Sequence, residues 1–147
     1  MTTIACDGRT MAGDGLITED DHVCLTDYEK VRGLKDGRIV GFAGNSYNWG
    51  PFADWLESGE GEPPKVHENF ACIVLTPGGS VLSYDQYGRS FQEQAPAAIG
   101  SGARFALAAM DLGKSAHEAV EYACTRDIYS DGTITSLERT IRNLEAA

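Results

Sequence analysis

Residues 1–15 read MTTIACDGRTMAGDG. Two short runs of small and apolar residues, TTIAC and TMAG, flank Asp7-Gly8, and Asp-Gly between such runs is among the strongest short-range hairpin signals. The stretch is therefore predicted to be a β-hairpin whose loop is Asp7-Gly8, with Cys6 facing Arg9 and Thr2 facing Gly13. That register delivers Asp14 beside the start of the chain. Thr2 is small, so removal of Met1 by a methionine aminopeptidase is expected, leaving Thr2 as the first residue. A free N-terminal threonine carries a nucleophilic hydroxyl and a base, its own α-amine, on one residue. An α-amine titrates at about 7.7–8.0 against about 10.4 for a lysine, so its neutral form is accessible near neutral pH.

A hydroxyl activated in this way needs a fixed positive charge beside it, to keep the amine deprotonated and to stabilise the alkoxide. Asp14 arrives by the hairpin, and Lys30 in DYEKVRGL, just ahead of a short apolar element, is the best lysine candidate. Backbone amides must receive the oxyanion, and the glycine-rich strand end GFAG offers the N–H of Gly41 without side-chain obstruction.

Outward from the hairpin, GLITEDDHVCLTDYEKVRGL reads as a short strand pair with a loop, and GRIVGFAGN as a strand. SYNWGPFADWLES has a polar start, Pro51 near the helix beginning and apolar Phe52, Trp55 and Leu56 at helical spacing. GEGEPPKVHEN is linker-like, and FACIVLTPGGSVLSYD gives two strands around Pro-Gly-Gly. PAAIGSGARFALAAMDLG is a strand end followed by a helix apolar on most faces, expected to be buried on two sides. SAHEAVEYACTRD carries a capping box, Ser115 with Glu118 three residues on, after Gly113 closes the preceding helix. The last stretch, DIYSDGTITSLERTIRNLEAA, reads as strands 127–130 and 133–138 around Asp131-Gly132, then a polar tail with helical character. This order of elements predicts an α+β fold, two antiparallel sheets packed face to face with helices outside.

The 147 residues are the length of one domain, 1–147. The formal net charge of −10 argues against nucleic acid as a partner, and the apolar runs are too short to span a membrane. The N-terminus lacks a basic region followed by an apolar stretch, so a cytoplasmic location is expected. Cys6, Cys24, Cys72 and Cys124 are dispersed without a C-x-x-C pair, as reduced and mostly buried thiols would be. His22, His67 and His117 have no ligand-like spacing, and Trp49 and Trp55 read as core or subunit contact. DIYSDGTITSLE matches part of a calcium-loop template, yet Tyr129 stands where an oxygen ligand belongs. No cofactor is expected, beyond a structural cation held by backbone carbonyls near the 127–132 turn.

The segments TTIACDGRTMAGDGLIT, EKVRGLKDGRIVGFAGN, AIGSGARFALAAM and SAHEAVEYA together resemble N-terminal-nucleophile hydrolases of the proteasome β-subunit type, and among them the bacterial HslV peptidases. Residue by residue, the resemblance makes Thr2 the nucleophile with its amine as base, Asp14 and Lys30 the charge pair beside it, and Gly41 the oxyanion donor. It also makes Ser101 the hydroxyl near the threonine amine, and Asp127 with Ser130 the later acid and hydroxyl that support the nucleophile. It implies a four-layer αββα sandwich, assembly into stacked rings, and threonine-type hydrolysis of unfolded protein or peptide through an acyl-enzyme ester, with an ATP-dependent unfoldase as the partner such peptidases use. This sequence departs from the pattern between GFAG and FACIVL, where the family carries two long helices and this chain only one short one. Two alternatives stay open at this level: an N-terminal-nucleophile amidohydrolase acting on a small amide, and a noncatalytic ring or assembly subunit.

Overall fold

The computed structural model describes residues 1–66 and 69–140. A four-stranded antiparallel sheet has the order β10 (Ala97–Ile99), β1 (Ile4–Cys6), β2 (Thr10–Gly13), β11 (Thr135–Glu138). A five-stranded antiparallel sheet runs in chain order through β5 (Val31–Gly33), β6 (Ile39–Gly44), β7 (Phe70–Leu75), β8 (Val81–Tyr84) and β9 (Ser90–Glu93). The ribbon β3 (Ile17–Glu19) and β4 (His22–Leu25) stands apart. The helices are α1 (Trp49–Glu57), entered through a 3-10 turn at Ser46–Asn48, α2 (Ala103–Asp111) and α3 (Ala116–Arg126).

The layers follow from alternation along the strands, since successive side chains point to opposite faces of a sheet. In the first hairpin Ile4, Cys6 and Met11 meet Val31, Ile39, Ile73, Leu75 and Val81 between the sheets. Their neighbours Ala5 and Ala12 turn the other way, onto Ala106, Ala109, Ala116, Ala119, Val120 and Ala123 of α2 and α3. In the second sheet Val40, Phe42, Cys72, Val74 and Tyr84 face outward onto Trp49, Phe52, Trp55 and Leu56 of α1. The result is the four-layer αββα sandwich, in which, among the described residues, the second sheet is covered by the nine-residue helix α1. That helix closes its layer with large rings: Phe52 lies 4.7–6.3 Å, centroid to centroid, from Phe42, Trp55, Phe70 and Tyr84. Trp49 and Trp55 are both core residues.

The hairpin register differs from the expected one. Ile4 pairs with Gly13 and Cys6 with Met11, so the loop is Gly8-Arg9 rather than Asp7-Gly8. Gly8, at φ +92°, heads the turn, and the Asp7 carboxylate accepts the N–H groups of Arg9 and Thr10 at 2.9 and 2.8 Å. Asp7 is thus the anchor of the turn. The slip is two residues, which keeps every side chain on its expected face.

Three further expectations are corrected. Residues 127–130 form a turn and only Thr135–Glu138 is strand, because Asp127 and Ser130 fold their side chains inward onto buried hydroxyls instead of joining a ladder. Helix α2 buries one face, through Ala106, Ala109 and Met110, while Arg104, Ala108 and Asp111 are exposed. Cys24 is exposed on β4, whereas Cys6 and Cys72 are buried and Cys124 is half-buried. The capping box forms as read, Ser115 accepting from the Glu118 N–H and Glu118 from the Ser115 N–H. His67 and the polar tail 141–147 lie outside the described residues. Among the described residues no helix is long and apolar enough to cross a membrane.

Candidate active site

The chain start continues β1 toward the end of the sandwich, and Thr2 and Thr3 are both buried there. Thr3 pairs backbone to backbone with Asp14, whose N–H donates to the Thr3 carbonyl at 3.1 Å. The Asp14 carboxylate, fully buried, accepts the Thr3 N–H at 2.9 Å and those of Asp131 and Leu16 at 3.2 and 3.3 Å. It also holds the Lys30 ammonium, with Nζ at 3.0 and 3.1 Å from its two oxygens. A carboxylate with that many donors is a fixed anchor, and it aims Lys30 at Thr2: Nζ donates to Thr2 Oγ1 at 3.0 Å.

Lys30 is 1% exposed. Burial pushes its ammonium below the usual lysine value, and Asp14 opposes that shift by charge and hydrogen bond. Without Asp14, burial would drive the lysine toward its neutral form.

On the other side of Thr2 a second chain of hydrogen bonds begins. The Thr2 N–H donates to Ser101 Oγ at 3.0 Å, and the Ser101 hydroxyl donates to Asp127 Oδ2 at 2.6 Å. Ser130 donates to the same Asp127 oxygen at 2.6 Å, so its own oxygen accepts the Thr3 hydroxyl at 2.7 Å. Burial alone would raise the Asp127 carboxyl, but Ser101, Ser130 and the Tyr129 N–H outweigh it and hold the carboxyl below the usual carboxylate range. The glycines of IGSG make the approach feasible: a Cβ on Gly100, at φ +96°, would sit 2.1 Å from the Thr2 carbonyl oxygen, and one on Gly102 1.8 Å from Thr3 Oγ1.

Six of the seven residues singled out in the sequence, Thr2, Asp14, Lys30, Ser101, Asp127 and Ser130, therefore form one connected cluster. Gly41 stands outside it. It pairs with Val31 and Ile73 inside the sheet, and its Cα lies against Ile4 and Met11 between the layers. The Phe42 N–H donates to the Lys30 carbonyl, and since N–H directions alternate along a strand, the Gly41 N–H points the other way, into the β7 ladder. The residue that the reading of GFAG missed is its last glycine. Gly44, at φ +94°, lines the cleft beside Thr2, and by the same alternation its N–H points to the side where β5 has already ended. Thr3 was also missed, although it ties Asp14 to Ser130.

The cleft has a volume of about 540 Å³ and is walled by Thr2, Gly44, Asn45, Trp49 and the β3–β4 ribbon. Met1 also lies in it, 57% exposed, and accepts the Thr2 hydroxyl on its carbonyl oxygen. While Met1 is attached, the Thr2 nitrogen is an amide and no base. The Met1 amine itself is held below the usual α-amine value by burial, with Asp127 opposing. At the 127–132 turn Asp127 accepts from Ser101, Ser130 and the Tyr129 N–H, and Asp131 Oδ1 from the Gly132 N–H.

The layers and strand orders make a fold shared with HslV. No protein-family profile matches the chain. Among solved structures, that of eukaryotic HslV from Trypanosoma brucei is similar at a TM-score of 0.70 and 23% identity, over 94% of this chain and 99% of that one. Thiobacillus denitrificans BPH is similar at a TM-score of 0.71 and 19% identity, over 95% of this chain and 98% of that one. The same BPH in complex with epoxomicin is similar at 0.64 and 17% identity, with 95% and 98% covered.

Proposed function

We propose that the chain is a threonine-type peptidase subunit whose nucleophile is Thr2 Oγ1 after Met1 is removed. The observation that carries this is the double grip on one threonine: Lys30 Nζ at 3.0 Å from its hydroxyl and Ser101 Oγ at 3.0 Å from its nitrogen. Removing Met1 converts that amide into an amine at the same place, next to the hydroxyl it must deprotonate.

The amine takes the hydroxyl proton as Oγ1 attacks the scissile carbonyl carbon, and Lys30 stabilises the developing alkoxide. The carbonyl oxygen becomes an oxyanion, for which the Gly44 N–H is the donor on the cleft side. The ammonium returns its proton to the leaving amine as the C–N bond breaks, leaving an ester on Oγ1. Water, deprotonated by the same amine, hydrolyses the ester and restores the threonine. Ser101 and Asp127 orient the amine through these cycles. The uniform burial of Asp14 and Lys30 fits electrostatics set before substrate arrives, in a site with little water to screen them.

The same reading carries self-association into stacked rings, unfolded protein or peptide as substrate, and an ATP-dependent unfoldase as feeder. Light scattering on the purified chain tests the first of these, with a ring mass expected and a monomer mass contrary to it. The test of the chemistry is peptide turnover by the Met1-free chain and by Thr2→Ala. Loss of turnover in the variant with unchanged circular dichroism supports the reading, and equal turnover overturns it.

A further inference from the structure

One wall of the cleft has chemistry that the peptidase reading does not use. Glu19 and His22 are a directly opposed cross-strand pair on the β3–β4 ribbon, and Cys24 is two residues beyond His22 on the same strand. Opposed residues share a face. The register shifts between Ile17 and Thr18, which leaves Cys24 as the unpaired residue of a β-bulge that re-aims its side chain, so that a carboxylate, an imidazole and a thiol converge. Their ligand atoms all lie within 4.8 Å of one another, with Cys24 Sγ at 3.8 Å from both Glu19 Oε2 and His22 Nε2. A tetrahedral zinc with Zn–S of about 2.3 Å and Zn–N or Zn–O of about 2.0–2.2 Å holds such atoms about 3.3–3.6 Å apart. Small rotations of three exposed side chains close the difference.

We propose that Glu19, His22 and Cys24 form a binding site for a zinc-class divalent cation at the rim of the cleft. A sulfur, nitrogen and oxygen set suits the borderline-soft zinc and cobalt ions, while calcium and magnesium take oxygen ligands. Three protein donors leave a fourth coordination position. Glu19 and Cys24 line the same cleft as Thr2, so that position is filled by water or by a donor atom of whatever enters the cleft. Asp20 and Asp21 form the turn between the strands, and the chain's net charge of −10 favours a cation's approach. Resting further on the proposed peptidase, the occupied site narrows the cleft and raises KM for peptides more than it lowers kcat.

The test is titration of the full chain with Co²⁺, read by the near-ultraviolet thiolate-to-cobalt band, and then displacement by Zn²⁺. The expected result is one equivalent bound, with affinity reduced at least tenfold in Cys24→Ser and in His22→Ala. Absence of the band at one equivalent, or an undiminished band in Cys24→Ser, overturns the site. The same titration on Thr2→Ala is independent of peptide hydrolysis, so the metal site stands or falls apart from the peptidase. Peptide turnover with Zn²⁺ against turnover after chelation then reads the second step: a KM rise supports it, and identical kinetics at saturating Zn²⁺ overturn it.

Discussion

The sandwich behind Thr2 and the ribbon across the cleft from it treat polar side chains in opposite ways. On the sandwich side Asp14, Lys30, Asp127 and Ser130 are buried, and each has protein partners at 2.6–3.3 Å. On the ribbon side Glu19, His22 and Cys24 are exposed and meet one another only at 3.8 Å or more. Burial favours pairing for these groups, since an unpaired one there costs its full desolvation. Exposure leaves donors uncommitted. The sandwich side is built to hold a geometry, and the ribbon side to accept something from outside.

The comparison is broken most severely by Asp14→Ala. It removes the partner of Lys30, whose side chain has no solvent contact and must neutralise or stay charged unpaired. It also removes the acceptor of three N–H groups, and is expected to cost about 3–5 kcal/mol. Urea unfolding measures this, and a loss below about 1 kcal/mol would mean that Lys30 finds another partner. Lys30→Ala should lower turnover by about 10²–10³-fold or more, the scale of one main electrostatic group, and steady-state kinetics on a peptide substrate read it. Gly44→Val comes next: at φ +94° a Cβ would lie 2.0 Å from the Asn69 carbonyl oxygen, so a strain of at least about 1–3 kcal/mol is expected in thermal unfolding.

Ser130→Ala takes one donor from Asp127 and the acceptor of the Thr3 hydroxyl, for about 1–3 kcal/mol. It also has a pH signature. A carboxyl held below its unfolded value of about 3.9 contributes stability that is complete above that value and fades as pH falls through the lower folded one. Ser130→Ala raises the folded value, so its deficit against the parent is present at neutral pH and narrows in acid; a deficit constant down to pH 2 would speak against this role. At the other end, Glu19→Gln on the ribbon should change stability by no more than about 0.5 kcal/mol without metal.

The order of elements, strands, a helix, strands, two helices and strands again, made the layers legible in the sequence. The capping box at Ser115 sets a helix start by local chemistry alone. What failed depended on information that is not local. Asp7 can be a loop residue or the anchor of one, and only the sheet pairing decides. Gly41 and Gly44 belong to the same tetrapeptide, and choosing between them needs the point where β5 ends. Asp127 and Ser130 read as strand because nothing in their own segment reveals the Ser101 and Thr3 hydroxyls waiting for them. The Glu19, His22 and Cys24 group is invisible as a spacing, since one of its three members comes from across a turn whose register the sequence leaves unset.

The most direct test is an intact mass of the purified chain before and after incubation with epoxomicin. Loss of one methionine and a single adduct localised to Thr2, absent from Thr2→Ala, is the expected result. A Met1-free chain that stays unmodified, or an adduct that persists in Thr2→Ala, would contradict it.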